Sequence, residues 1–194
     1  KNGTITAGGK LLESLSRESY YSKLAVISYN TYVFNTSVRE NFRLAKENVT
    51  DEEIYTALEK VNLKQFIIDN GGLDKEITED ANNISGGQKQ RLALAVNLVA
   101  DKEIYIFDEA TSNIDIESEA IIMCNIKALS ERKSVIVISH RLENVVPADC
   151  IYFMENGEVK ESGTHADLMS RNGGYAALYT AQKRLENGYV EVSE

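Results

Sequence analysis

The chain has 194 residues, 43% of them hydrophobic and 26% charged, with a formal net charge of -9. That balance supplies enough apolar material for one packed domain with a subdomain and excludes disorder as the main state. The acidic excess argues against a surface built to grip nucleic acid, which needs clustered Lys and Arg, while a local anion site stays open.

Cys124 and Cys150 lie far apart with no paired spacing, so neither a disulfide framework nor a zinc site is indicated, and a reducing cytosol is the natural reading. The apolar runs fall well short of the roughly 20 residues needed to cross a bilayer. No signal segment opens the chain, so a membrane link is expected to run through a partner.

In chain order, Gly8-Gly9-Lys10 between residues 4–6 and 11–12 reads as a hairpin turn. Runs rich in branched residues at 24–27, 104–107, 135–138 and 151–154 are continuously apolar, which predicts strands covered on both faces by helices, as in a parallel α/β sheet. The interval between the first two runs is far longer than a βαβ crossover and predicts a helical insertion. Within it, Thr50 followed by Asp51, Glu52 and Glu53 predicts a capping box that opens a helix through Ile54, Ala57, Leu58 and Val61. A short helix over 63–68 ends at Asn70-Gly71-Gly72, and residues 75–83 read as an extended loop. A third helix is predicted over 86–100, with Leu92, Ala95, Val96 and Val99 near helical spacing. Glu47, Asp51, Glu52, Glu53 and Glu59 read as a solvated face. After Asp115, the spacing of Ala120, Ile121, Cys124, Ala128 and Leu129 predicts a helix packed on the sheet, and Ser134 opens the next strand. Asn156-Gly157 marks a hairpin between 151–155 and 158–161; residues 175–185 read as a terminal helix, with a fraying tail from Asn187.

Three stretches carry chemistry. Asn83-Ile84-Ser85-Gly86-Gly87-Gln88-Lys89-Gln90-Arg91 sits where a loop turns into a helix. It exposes small-residue amides at the positive end of a helix dipole, with Ser85 as an added hydroxyl donor, and that suits phosphate. Taken alone, Ser-Gly-Gly is equally an N-cap followed by turn glycines. Asp108-Glu109 follows an apolar strand, at the end where open α/β sheets bind ligands. Asp108 could hold Mg²⁺, usually through water, and Glu109 could orient or deprotonate an attacking water. A helix cap followed by a first-turn acid explains that pair about as well. His140, just after run 135–138, is expected at the same sheet edge and could donate to a terminal phosphate, or serve as a capping or loop histidine.

In this order and on these elements, the stretches resemble the nucleotide-binding domain of an exporter-type ABC transporter. Residues 85–91 resemble the signature sequence, 105–109 the Walker B strand, Ser112-Asn113-Ile114-Asp115 the D-loop, and Ser139-His140-Arg141 the switch histidine. Val33-Phe34-Asn35-Thr36-Ser37-Val38-Arg39-Glu40-Asn41 looks like the entry to the helical subdomain, and Gly157-Glu158-Val159 with Gly163-Thr164-His165-Ala166-Asp167-Leu168 like the closing hairpin and helix.

The resemblance implies an α/β fold: a P-loop NTPase (RecA-like) core with a mainly parallel sheet and an inserted α-helical signature subdomain. Residues 1–36 would be the N-terminal remainder of the core, 37–100 the helical subdomain, 101–187 the rest of the core and 188–194 a tail. It implies ATP and Mg²⁺ as ligands and a second nucleotide-binding domain as a head-to-tail partner, with Ser85, Gly86, Gly87 and Gln88 binding the γ-phosphate across the interface. Asp108 would support Mg²⁺, Glu109 act as catalytic base, His140 fix the γ-phosphate and Asp115 belong to the D-loop. Transmembrane domains are the other implied partner, at the cytoplasmic face of the cell membrane, with loops in 29–41 touching them. No nucleic acid is implied.

Three departures stand out. No Gly-x-x-x-x-Gly-Lys-Ser/Thr string occurs, and Gly8-Gly9-Lys10 is followed by Leu11. By the family's order the Walker A phosphate loop precedes Lys1, so the resemblance implies an N-terminally truncated domain, inactive alone. Tyr29 stands at the Q-loop position, where the family's glutamine helps hold Mg²⁺ and water and where tyrosine has no amide, so either hydrolysis or coupling is altered or Asn30 or water substitutes. Val96 stands where an arginine is common. Two other readings remain: a non-hydrolytic domain that lends only its signature to a heterodimer, and the ATPase head of a DNA-repair or chromosome protein. Glu109 and His140 count against the first; the acidic balance, the lack of heptads and the segment 34–41 count against the second.

Overall fold

Gly8 and Gly9 adopt φ of 56° and 74°, the left-handed pair that a two-residue hairpin turn needs, and join β1 (Thr6–Ala7) to antiparallel β2 (Lys10–Leu11). The computed structural model describes residues 3–29, 32–78 and 83–190, and divides into two units, residues 1–138 and 139–194. After α1 (Arg17–Tyr21) comes β3 (Leu24–Ser28), then four helices: α2 (Val38–Ala45), α3 (Asp51–Lys60), α4 (Lys64–Asp69) and α5 (Gly86–Val99). The chain returns through β4 (Ile104–Asp108), α6 (Ile116–Ser130) and β5 (Ser134–Ile138).

The three later strands form a parallel sheet in the order β3-β4-β5. Its register pairs Ser28 with Asp108 and Asp108 with Ile138, so all three strands end along one edge. Tyr105 and Phe107 on β4 and Ile27 on β3 share one apolar core with the inserted helices through Phe42, Ile54, Leu58 and Leu92, and with α6 through Ile122. Fully burying a side chain of this size contributes about 1.5–3 kcal/mol, so the insertion and the sheet stabilise each other.

The helical insertion follows the predicted signals. Thr50 and Glu53 form the reciprocal capping box at the start of α3, and Ser85 and Gln88 form another at the start of α5. The acids on the solvated face are exposed or half-buried, and three find cations: Asp51 pairs with Arg39, Glu53 with Lys46 and Glu59 with Lys64. In the stretch 75–83, Glu76 bridges Ser37 and the Ile77 amide donates to the Thr36 carbonyl at 3.0 Å; residues 79–82 lie outside the described residues.

Several expectations are corrected. Within the first unit, the described helices cover one face of the sheet, not both. On the other face Val26, Ile136 and Ile138 are 54%, 52% and 49% exposed. The run 151–154 is not a strand of the parallel sheet. It is part of β6 (Ile151–Glu155), which pairs antiparallel with β7 (Glu158–Gly163) through the Asn156-Gly157 turn, whose φ values of 52° and 79° match the predicted hairpin. The buried stripe of α6 runs through Ser118, Glu119, Ile122 and Ile126, while Ala120, Cys124 and Ala128 are exposed. Ile122, Ile126 and Leu129 supply the apolar part of that face, and Glu119 adds a hydrogen bond from Thr111 in the turn after β4.

In the second unit α7 (His165–Arg171) begins with a Thr164–Asp167 capping box, and α8 (Gly174–Val190) continues past Asn187. Ile151, Leu168 and Tyr175 form its core, and His165 Nδ1 lies 2.8 Å from the Tyr175 hydroxyl.

The segment ahead of α2 is held by one buried side chain. Asn41, 3% exposed, accepts from the Phe34 amide at 2.8 Å and donates to the Phe34 and Ser37 carbonyls, each at 3.0 Å. Replacing Asn41 by Ala strands these groups, and on the order of 2–3 kcal/mol of stability is expected to be lost, read as a lower urea midpoint with unchanged slope.

Candidate functional site

Alternation along β4 sends Tyr105 and Phe107 into the core and leaves Asp108 exposed at the strand's end. The chain then bends sharply. Glu109 has φ of 51°, a left-handed conformation that costs a side-chain-bearing residue roughly 1–3 kcal/mol and persists only when its surroundings impose it. Here they do. The Glu109 amide donates to the Ile138 carbonyl at 2.9 Å, and its carbonyl accepts from the Ser112 amide at 3.2 Å. Thr111, buried, donates to the buried Glu119 carboxylate at 2.7 Å.

Upstream in the same unit, α5 opens on Ser85. Its Oγ accepts from the Gln88 amide at 3.2 Å, and Gln88 Oε1 accepts from the Ser85 amide at 2.8 Å. Gly86 and Gly87 supply first-turn amides, which a helix leaves without intrahelical partners. Thus Ser85 is an N-cap, and the cap leaves its hydroxyl proton available for donation.

The two stretches are tied together. A Cβ on Gly87 would lie 3.0 Å from the Asn113 carbonyl oxygen, so a larger residue there requires the 112–115 segment to give by a few tenths of an ångström. Gln90, 5% exposed, donates from Nε2 to the Ala110 carbonyl at 2.7 Å. Arg91 donates to the Asn62 carbonyl at 2.7 Å and to Ser118 Oγ at 2.8 Å. Asp115 caps α6 by accepting from the Ser118 amide at 2.8 Å; that bond, aided by the Ser118 hydroxyl and the nearby Arg91 charge, holds its carboxyl below the usual carboxylate range. Sequence reading absorbed Gln90 into a motif and gave it no role. The available signal was a polar residue three and four positions before Ala93 and Leu94, on the buried face of α5.

Tyr29 follows β3 and is 54% exposed; Asn30 lies outside the described residues. His140 belongs to the second unit, where it is exposed within a turn closed by Ser139 Oγ, which accepts from the Arg141 amide at 3.0 Å. Lys10 sits in β2, exposed, and has no part in a phosphate loop. Val96 lines a groove of about 180 Å³ together with Tyr32, Phe34, Leu44, Ala93 and Asn97. Its rim is apolar, with Tyr32, Phe34 and Leu44 largely exposed. No described helix is long and apolar enough to cross a membrane.

Comparison with known proteins agrees with this arrangement. The sequence matches the ABC transporter family over residues 1–112. It is 48% identical to an "Uncharacterized ABC transporter ATP-binding protein" of Haemophilus influenzae, over 96% of this chain and 33% of that protein. A Staphylococcus aureus protein named for multidrug export as an ATP-binding/permease protein is 35% identical over 93% of this chain and 32% of its own length. The fold matches the structure of a bacterial Atm1-family ABC exporter with ATP bound, with a TM-score of 0.88 and 30% identity over 94% of this chain and 32% of that one. The chain therefore spans about a third of the length of these relatives. The parallel sheet with its helical insertion is the core of a P-loop NTPase fold, and the chain belongs to the ABC transporter ATP-binding family.

Proposed function

We propose that the chain is the ATP-binding and ATP-hydrolysing domain of an ABC membrane exporter, and that it powers translocation through head-to-tail pairing with a second such domain. One observation carries this reading: the turn that follows Asp108 and Glu109 is joined to the helix that opens on Ser85 by the buried Gln90–Ala110 hydrogen bond, and to α6 by the Thr111–Glu119 bond. Exporter relatives support the direction of transport.

In this reading Ser85, Gly86, Gly87 and Gln88 offer hydroxyl and amide donors to the γ-phosphate of an ATP held by the partner domain. Glu109 orients the attacking water and takes its proton as the γ-phosphate leaves ADP. His140 donates a hydrogen bond to that phosphate, and Asp115 holds the D-loop against the start of α6. The residues fit Mg²⁺ in one way. No group of three or more His, Cys, Asp or Glu is gathered for a metal among the described residues, so Asp108 would act through water, with phosphate oxygens and waters completing the shell. When bound, Mg²⁺ supplies neutralisation of phosphate charge.

The groove of Tyr32, Phe34, Leu44 and Val96 is the proposed seat for the transmembrane domain at the cytoplasmic face of the membrane. Residues 37–100 are then the element through which docking and the signature communicate. Tyr29 favours a second reading, a domain that lends its signature without hydrolysing, because a phenol replaces the amide of the Q-loop position.

Two tests follow from this assignment. Glu109→Gln is expected to lower the ATPase rate of the assembled transporter by roughly a hundredfold or more while ATP binding persists, measured by phosphate release and nucleotide binding. An unchanged rate removes Glu109 as base, and a wild-type protein without hydrolysis favours the second reading. Leu44→Glu puts an unpaired carboxylate in the groove, and docking to the transmembrane domain is expected to weaken on the order of tenfold, read by crosslinking yield.

A further inference from the structure

Gln90 is 5% exposed, and its side chain is split between two states of satisfaction. Nε2 donates to the Ala110 carbonyl at 2.7 Å, while Oε1 is buried with no hydrogen-bond partner. Turning the amide over would set two oxygens against each other across that distance, so the Ala110 bond fixes which way the group faces. An apolar side chain of similar length would leave no orphaned acceptor in the core. What the glutamine adds is therefore geometric: a donor from α5 directed at one carbonyl.

That carbonyl belongs to the residue after Glu109, and Ala110 is itself buried. The Glu109–Ala110 peptide is where the chain leaves β4 in a left-handed conformation. The Ile138 carbonyl restrains it from the amide side, and Ser112 accounts for the Glu109 carbonyl. The Gln90 bond is the restraint on the next carbonyl, and it comes from the helix that opens on Ser85. A displacement near 1 Å at a reacting group costs up to about a hundredfold in rate, so such a restraint has kinetic value.

We infer that Gln90 is a positioning residue for ATP hydrolysis: through the Ala110 carbonyl it holds the corner that aims the Glu109 carboxylate, and it makes that aim depend on the seating of the signature helix. This rests on the reading of Glu109 as the base. Under head-to-tail pairing, the bond joins the signature serving one nucleotide to the carboxylate acting on the other.

The test uses the assembled transporter with Gln90→Met, which removes the donor and the orphaned acceptor at nearly constant volume, and Gln90→Glu, which places an ionisable acceptor there. For Gln90→Met, kcat is expected to fall about tenfold with KM for ATP unchanged and the thermal midpoint unchanged or raised. For Gln90→Glu, kcat relative to wild type is expected to rise as the pH is lowered from about 8 to about 6. Burial raises the carboxyl's pKa, and the protonated acid regains a donor toward Ala110. Unchanged kcat in Gln90→Met, or a loss that only follows a lower melting temperature, overturns the proposal, as does a flat pH ratio in Gln90→Glu. Glu109→Gln run alongside separates the two ideas. If it abolishes hydrolysis while the Gln90 variants turn over normally, Gln90 alone is wrong; if it hydrolyses normally, the base assignment is wrong.

Discussion

The parallel register of β4 between β3 and β5 is the constraint on which the candidate site depends. It makes Ser28, Asp108 and Ile138 end together, and it lets the Ile138 carbonyl take the Glu109 amide just where the chain must turn. Parallel strands leave their carboxyl ends free of hairpin connections, so each exit is a loop that can carry chemistry. Asp108 is the last residue of the pleat and Glu109 the first outside it. Their settings differ, one exposed at a strand end and one half-buried in a left-handed corner, as the proposed roles of metal partner and base do.

A second layer of polar contacts then binds α5 and α6 to that corner. Gln90, Thr111, Ser118 and Glu119 are all buried, and their contacts reach across three elements. Buried polar groups of this kind are costly unless paired, so the frame has few alternative arrangements. Gly87 packs closely on the Asn113 carbonyl, which brings the start of α5 against the 112–115 segment.

Much of this was legible from residue order. The capping box at Thr50, the N-cap at Ser85, the glycine pair at 8–9 and Asn156-Gly157 are local devices whose chemistry is complete within a few residues, and they appear where the sequence placed them. What periodicity missed is non-local. Beside the apolar Ile122 and Ile126, α6 buries Glu119 against Thr111 and Ser118 against Arg91 and Asn62, polar pairings that no local pattern marks. The continuous apolar character of 24–27 and 135–138 predicted cover on both faces, yet Val26 and Ile136 are exposed, because apolarity says that a strand can be buried and not which neighbour does it. Gln90 escaped notice for the related reason that its partner is a backbone carbonyl, which has no sequence signature.

The direct test of the account is a structure of the assembled transporter carrying Glu109→Gln, with Mg²⁺ and ATP bound. The account requires Ser85 Oγ and the first-turn amides of α5 to lie roughly 3 Å from γ-phosphate oxygens of the nucleotide held by the opposite domain. A closed pair of domains with ATP in place and Ser85, Gly86 and Gly87 left facing solvent would contradict it.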